Sequence, residues 1–208
     1  MDRCAIVAET GEFIGEEYTV TLASRLVLSK KQGTVAVNLS TTRAVEYVAA
    51  EFGVKVVRTK VGEIHVAKRM KEIGAVVGGE GNGGVILPDV HLGRDAPVAI
   101  ALTLQAMAES GESISSLWKK LPQYSIVKKK IEIGSLDPDE LLKKLGEKFA
   151  SEKLNKEDGL KIDRPDSWIQ VRKSNTEPIV RIMVEAKSRD QAERLANSFL
   201  EEIKLLAG

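Results

Sequence analysis

Two short runs of this 208-residue chain carry polar groups at spacings that suit ligand chemistry. The first is Gly78-Gly79-Glu80-Gly81-Asn82-Gly83-Gly84. Its glycines let backbone approach a ligand closely. Glu80 accepts hydrogen bonds and Asn82 both donates and accepts, a combination that suits the vicinal hydroxyls of a sugar if both side chains project into a cleft. The same residues also read as an ordinary glycine turn bearing two exposed polar side chains. From Gly79 onward the run fits GxGxxG, but a dinucleotide site needs a helix opening at the last glycine. Val85-Ile86-Leu87-Pro88 reads instead as a strand and a stop, which argues against a nicotinamide cofactor.

The second run is Arg172-Lys173-Ser174-Asn175-Thr176-Glu177-Pro178, with Arg181 beyond it. Arg172, Ser174, Asn175, Thr176 and Arg181 all offer donors, and arginine offers them in pairs, so the set suits a phosphate dianion. The plainer alternative is a polar hairpin with arginines solvated at the strand ends. Elsewhere the chemistry thins out. His65 and His91 lack metal-ligand spacing to a second His or Cys, although His91 with Arg94 could line a sugar cleft. Lys128-Lys129-Lys130 reads as a solvated strand face. No GxSxG, GxxxxGK[ST] or HExxH is present.

The elements that must position these runs follow from periodicity. Cys4–Ala8 reads as a short buried strand with Cys4 a small buried hydrophobe, Glu9–Glu12 as a turn and Phe13-Ile14 as a second strand. A helix is expected from about Glu16 to Leu28. Strands at Thr34–Asn38, Val54–Arg58, Ala75–Val77 and Val85–Leu87 then alternate with helices at about Thr42–Phe52, Glu63–Gly74 and, capped by Asp95, Ala96–Glu109. Strands separated by helices indicate βαβ units around a mostly parallel sheet. Leu121–Tyr124 reads as a linker. Beyond it, strands at about 125–133, 159–163, 168–172 and 179–185 accompany only two helices, opening at Asp137-Pro138 and at Ser188. That order indicates an antiparallel sheet with two helices on one face. The expected architecture is therefore α/β: a remnant of a preceding domain over residues 1–20, a βαβ mixed-sheet domain over 21–121, and a smaller α+β domain over 122–208.

Composition excludes several classes. Lys plus Arg number 31 and Asp plus Glu 30, a formal net charge of +1 that lacks the basic surplus of a nucleic-acid binder. Aromatics at 4% are too few for a base-stacking platform. No apolar run reaches the roughly 18 residues of a membrane span, and the stretch after Met1 is too short for a secretory leader. The single cysteine permits no internal disulfide and fits a cytoplasmic setting.

Taken together, these segments resemble the C-terminal half of an α-D-phosphohexomutase, the phosphoglucomutase/phosphomannomutase/phosphoglucosamine mutase superfamily. Gly79–Gly84 resembles its sugar-recognition loop, Arg172–Pro178 with Arg181 its phosphate-binding loop, and Thr59-Lys60-Val61-Gly62-Glu63 its Thr-x-Val-Gly-Asp segment, with Glu for Asp. The resemblance implies that Glu80 and Asn82 bind sugar hydroxyls and that Arg172, Ser174, Asn175, Thr176 and Arg181 bind phosphate. It implies a phosphorylated hexose or hexosamine as ligand and an isomerase reaction, 6-phosphate to 1-phosphate through a bisphosphate.

Family members also carry a phosphoryl-accepting serine in their first domain and a Mg²⁺-holding DxDxDR loop in their second. Met1-Asp2-Arg3 resembles only the end of that loop, leaving Asp2 as the one metal-ligand candidate, and a lone carboxylate is a poor Mg²⁺ site. The resemblance thus implies a substrate-binding part without catalytic residues of its own, inactive alone, from a truncated chain or a split enzyme with a complementing N-terminal half. A non-catalytic phosphosugar-binding module on the same scaffold is the alternative. Where the family's sugar loop ends in His, Gly84 stands here, and Asn82 replaces its Ser; both departures resemble the hexosamine branch.

Overall fold

The computed structural model describes residues 2–132, 137–174 and 179–207. The chain separates into two compact units, Met1–Pro122 and Gln123–Gly208.

The first unit begins with helix α1 (Glu17–Lys30) and continues β1 (Val35–Asn38), α2 (Ala44–Glu51), β2 (Val56–Thr59), α3 (Glu63–Ile73), β3 (Val77–Glu80), β4 (Gly84–Ile86), α4 (Ala96–Ser110) and α5 (Ile114–Lys119). The sheet order is β2-β1-β3-β4. β1 runs parallel to β2 and β3, whereas β4 turns back antiparallel to β3, with Glu80 opposite Gly84. This is the mixed sheet that the alternating pattern requires. β1 is buried along its whole length, as a central strand covered on both faces must be. Ala36, Val66, Met70, Ala75 and Ile86 form a core between the sheet and α3. α1 is buried nearly all round because it packs against α2, α4 and the sheet. Tyr18 meets Trp118 of α5 edge-on, with ring centroids 5.9 Å apart.

The expected caps operate. Asp95 accepts from Val98 N at 2.9 Å and opens α4, with Pro97 in its first turn. The helix α5 is an addition to the sequence reading; Ser113 caps it. The N-terminal segment corrects that reading. Residues 4–8 and 13–14 are not strands: Val7 and Phe13 form one isolated antiparallel bridge, and both side chains are exposed. The residues flanking the bridge, Ile6, Ala8 and Ile14, are nevertheless buried. Cys4 is half-buried, its thiol pKa raised by desolvation, and its N–H donates to Gly83 O at 2.9 Å.

The second unit comprises β5 (Ser125–Glu132), α6 (Pro138–Lys148), β6 (Lys153–Asn155), β7 (Leu160–Asp163), β8 (Ser167–Lys173), β9 (Ile179–Ala186) and α7 (Arg189–Ala207). The sheet is antiparallel throughout, in the order β5-β9-β8-β7-β6. One face carries Val127, Leu160, Ile162, Ile169, Val171, Val180, Ile182 and Val184. These pack against Leu141 and Leu145 of α6 and against Ala192, Ala196, Phe199 and Ile203 of α7. Apolar residues every second position on strands and at 3.6 spacing on helices produce this one-sided core. Asp137 accepts from Asp139 N and Ser188 from Gln191 N, opening the two helices as their residue types predict. On the opposite face Trp168 is fully buried, with the Lys161 ammonium 4.6 Å from its ring centroid.

Candidate functional site

The glycine run is a tight reversal between β3 and β4. Several of its glycines are sterically required, two of them at the turn's exit. Gly83 has φ +86, a left-handed conformation, and a Cβ at Gly84 would collide with Arg94 Cδ. The strand that follows Gly84 is the feature that excludes a dinucleotide-type helix opening there.

Glu80, at the end of β3, does not project into open space. It is only 2% exposed. Its Oε1 accepts from Asn38 Nδ2 at 2.7 Å and from Gly62 N at 2.9 Å. Its Oε2 accepts from Arg94 Nη1 at 2.6 Å and from Asn82 Nδ2 at 3.5 Å. A carboxylate has about four lone-pair sites, so three are met by short bonds and the fourth by a long one. Asn82 also accepts from Gly84 N at 3.3 Å, which holds its amide over the turn.

The residues behind Glu80 come from the ends of parallel strands. Asn38 closes β1, and its Oδ1 accepts from Ser40 N and from Thr41 Oγ1. Thr41 Oγ1 in turn accepts from Gly81 N at 3.0 Å. Arg58 on β2 locks this bend from below. It pairs with Glu46 and donates to the carbonyls of Asn38, Leu39, Thr41 and Thr42. The Thr59–Glu63 segment contributes Gly62 N to Glu80, and Glu63 to Arg94 through both the Arg94 backbone N–H (2.7 Å) and Nε (3.2 Å). Arg94 Nη2 reaches Asp2 Oδ2 at 2.6 Å. The structure thus brings Glu80, Asn82 and Asp2 into one polar cluster with Asn38, Glu63 and Arg94. Asn38 and the convergence on Arg94 were invisible in the sequence, because their partners lie 42 and 92 residues away. His91 pairs with Asp95 at 2.9 Å, and the His91 hydrogen bond is the main cause of the lowered Asp95 pKa. His65 is exposed on α3.

Mg²⁺ does not fit the residues present. Asp2 is committed to Arg94, and among the described residues no group of three or more His, Cys, Asp or Glu side chains is arranged to hold a metal ion.

In the second unit, Asn175 and Thr176, with Glu177 and Pro178, lie outside the described residues. The described part of this run is the hairpin base. Ser174 N donates to Ile179 O at 3.0 Å. Arg172 on β8 lies directly opposite Arg181 on β9, and Lys130 on β5 lies opposite Arg181, so the three share a sheet face. Like charges directly opposite one another on a sheet are unfavourable. Arg172 Nε is buried with no acceptor among the described residues, a costly state for a charged donor. The Lys128–Lys130 run divides between the two faces: Lys129 pairs with Glu193 of α7 at 2.8 Å, whereas Lys128 and Lys130 are exposed.

Residues 15–124 match the description "Phosphoglucomutase/phosphomannomutase, alpha/beta/alpha domain III", and residues 126–202 match "Phosphoglucomutase/phosphomannomutase, C-terminal domain". A probable phosphoglucosamine mutase of Methanopyrus kandleri is 38% identical over 210 residues, covering 98% of this chain and 46% of that protein. A phosphoglucomutase/phosphomannomutase of Thermococcus kodakarensis is 38% identical over 194 residues, covering 92% and 42%. Among solved structures, a phosphoglucomutase/phosphomannomutase family protein from Burkholderia thailandensis superposes with a TM-score of 0.81 at 25% identity, covering 98% of this chain and 44% of the other. The chain therefore spans about half the length of the relatives it matches. Among the described residues no helix is long and apolar enough to cross a membrane.

Proposed function

Because the chain belongs to the phosphoglucomutase/phosphomannomutase family and corresponds to the C-terminal half of a phosphohexomutase, we propose that it is the substrate-binding part of such an enzyme. The substrate is a phosphorylated hexose or hexosamine, interconverted between its 6-phosphate and 1-phosphate through a bisphosphate. Glu80 and Asn82 recognise sugar hydroxyls. Arg172, Ser174, Asn175, Thr176 and Arg181 hold the phosphate that is not being transferred.

The observation that carries this reading is the uneven hydrogen bonding of Glu80. Three of its bonds are short and come from fixed donors, so the carboxylate cannot turn. The fourth, from Asn82, is 3.5 Å and is the one a hydroxyl displaces. The displaced Asn82 amide then donates to a neighbouring oxygen of the ring. One acceptor and one adjustable amide thus read two adjacent hydroxyls without a change in the backbone.

At the hairpin, the buried Arg172 donor and the facing Arg181 supply charge-assisted bonds to a dianion. Donors that follow a phosphate rather than a ring face suit a ligand that presents either end. In phosphoryl transfer, catalysis is largely positioning and charge stabilisation. In this proposal the chain contributes those, and the phosphoryl-carrying serine and the Mg²⁺ loop belong to a complementing N-terminal half.

Calorimetric titration of the chain with glucosamine 6-phosphate, glucose 6-phosphate, glucosamine and inorganic phosphate tests the assignment. The phosphosugars bind more tightly than either fragment alone. Equal affinity for sugar with and without its phosphate removes the phosphate assignment. Mixing the chain with the serine-bearing half of a relative restores mutase turnover; failure to do so while phosphosugar binding persists favours a non-catalytic binding module.

A further inference from the structure

Gly84 leaves space beside the β3–β4 turn, and the Arg94 stem fills it so closely that even a Cβ at position 84 would collide with Arg94 Cδ. From there the guanidinium spreads over three carboxylates from separate segments. Nη1 goes to Glu80 (2.6 Å), Nη2 to Asp2 (2.6 Å) and Nε to Glu63 (3.2 Å). Arg94 is itself only 12% exposed. A planar fork with donors in fixed directions can serve three acceptors in this way; an ammonium cannot hold the same geometry.

We propose that Arg94 is the positioning residue of the sugar loop: its stem occupies the space that Gly84 leaves, and its guanidinium fixes Glu80 as a hydroxyl acceptor within a cluster of carboxylates that favours hydroxyls over phosphate. The proposal deepens the sugar-recognition reading and rests on it. That preference follows from the charge of the carboxylates, which Arg94 offsets only in part. Asp2, Glu63 and Glu80 surround one guanidinium, so the cluster stays net negative after pairing. A hydroxyl gains a rigid acceptor there, and a phosphate group meets like charge. Arg94 therefore acts through Glu80 rather than by direct contact with the sugar.

Two variants approach this contact from opposite sides. Arg94→Ala removes the fork. Gly84→Ala leaves every hydrogen-bonding group in place and pushes the Arg94 stem away. The 208-residue chain and each variant are titrated with glucosamine 6-phosphate and, separately, with inorganic phosphate, and amide hydrogen exchange is followed across residues 78–84. In both variants the affinity for glucosamine 6-phosphate falls about tenfold or more, the scale of one hydrogen bond to a charged group. The affinity for inorganic phosphate stays unchanged, and exchange in the loop accelerates. Retention of the ratio between the two ligands in either folded variant overturns the proposal, as does a parallel loss of both ligands. An unsubstituted chain that binds the two ligands equally overturns the sugar reading itself, and this inference with it. A chain that discriminates while its variants discriminate equally well overturns the Arg94 role alone.

Discussion

The β3–β4 turn and the β8–β9 hairpin solve opposite problems. At the first, an acceptor is provided and nearly satisfied in advance: Glu80 takes donors from Asn38, Gly62, Arg94 and Asn82. At the second, two guanidinium groups lie opposite each other, Arg172 and Arg181, and Arg172 Nε is buried without an acceptor among the described residues. A weak, neutral hydroxyl needs an acceptor held still, because little binding energy is available to order it. A phosphate dianion brings enough charge to organise the groups around it. One region is therefore built into the fold, and its proposed hydroxyl acceptor is a group that the fold already holds. In the proposed function the other supplies charged donors to a phosphate.

The sharpest way to break that comparison is to remove one residue from each. Glu80→Ala leaves Arg94, Asn38 and Gly62 with donors lacking their acceptor in a buried setting, and unfolding in urea shows a loss of about 3 kcal/mol, the scale of a broken buried ion pair. Arg172→Ala leaves stability within about 0.5 kcal/mol, while the affinity for inorganic phosphate drops about 10- to 100-fold, the scale of charged hydrogen bonds. If Arg172→Ala destabilises as much as Glu80→Ala, the two regions are not different in kind.

A smaller effect sharpens the first half of the comparison. Arg58→Lys keeps the charge opposite Glu46 but cannot reach four carbonyls at once, so it costs about 1–2 kcal/mol by the same measurement, one or two lost charged bonds. Glucosamine 6-phosphate affinity falls in parallel, because the bend that Arg58 locks holds Asn38 behind Glu80. An unchanged sugar affinity separates that bend from the site.

The smallest effect lies at the N-terminal segment. The Glu9 pKa is lowered to about 2, first by the Ser115 hydroxyl and then by backbone and Ser113 bonds. A depressed carboxylate contributes stability that is full above its ordinary pKa and lost as pH falls through the folded value. Thermal midpoints measured from pH 6 to pH 2 fall more steeply below about pH 4.5 in the unsubstituted chain than in Glu9→Gln. Identical slopes remove the Glu9–Ser115 tie from the stability of this unit.

The sequence made the outline legible where local chemistry decides it. Asp95, Asp137 and Ser188 announce helix starts through caps that span three residues or fewer. The strands expected at 168–172 and 179–185 are present as β8 and β9. The misreadings occur where tertiary partners decide. Cys4–Ala8 has the composition of a strand but finds only one bridge. Glu80 reads as a projecting ligand group, yet distant residues enclose it. Arg94 sits in a loop with no motif of its own, and its importance arises only when residues 2, 63 and 80 meet around it. Lys128–Lys130 reads as one patch, but strand alternation deals its members to two faces.

The placement of the two tryptophans has a practical consequence. Trp118 lies against Tyr18 in the first unit, and Trp168 lies under the Lys161 ammonium in the second. Each half of the chain therefore owns a separate intrinsic fluorophore in a distinct environment. Replacing one indole with phenylalanine yields a protein whose emission follows the opening of a single half.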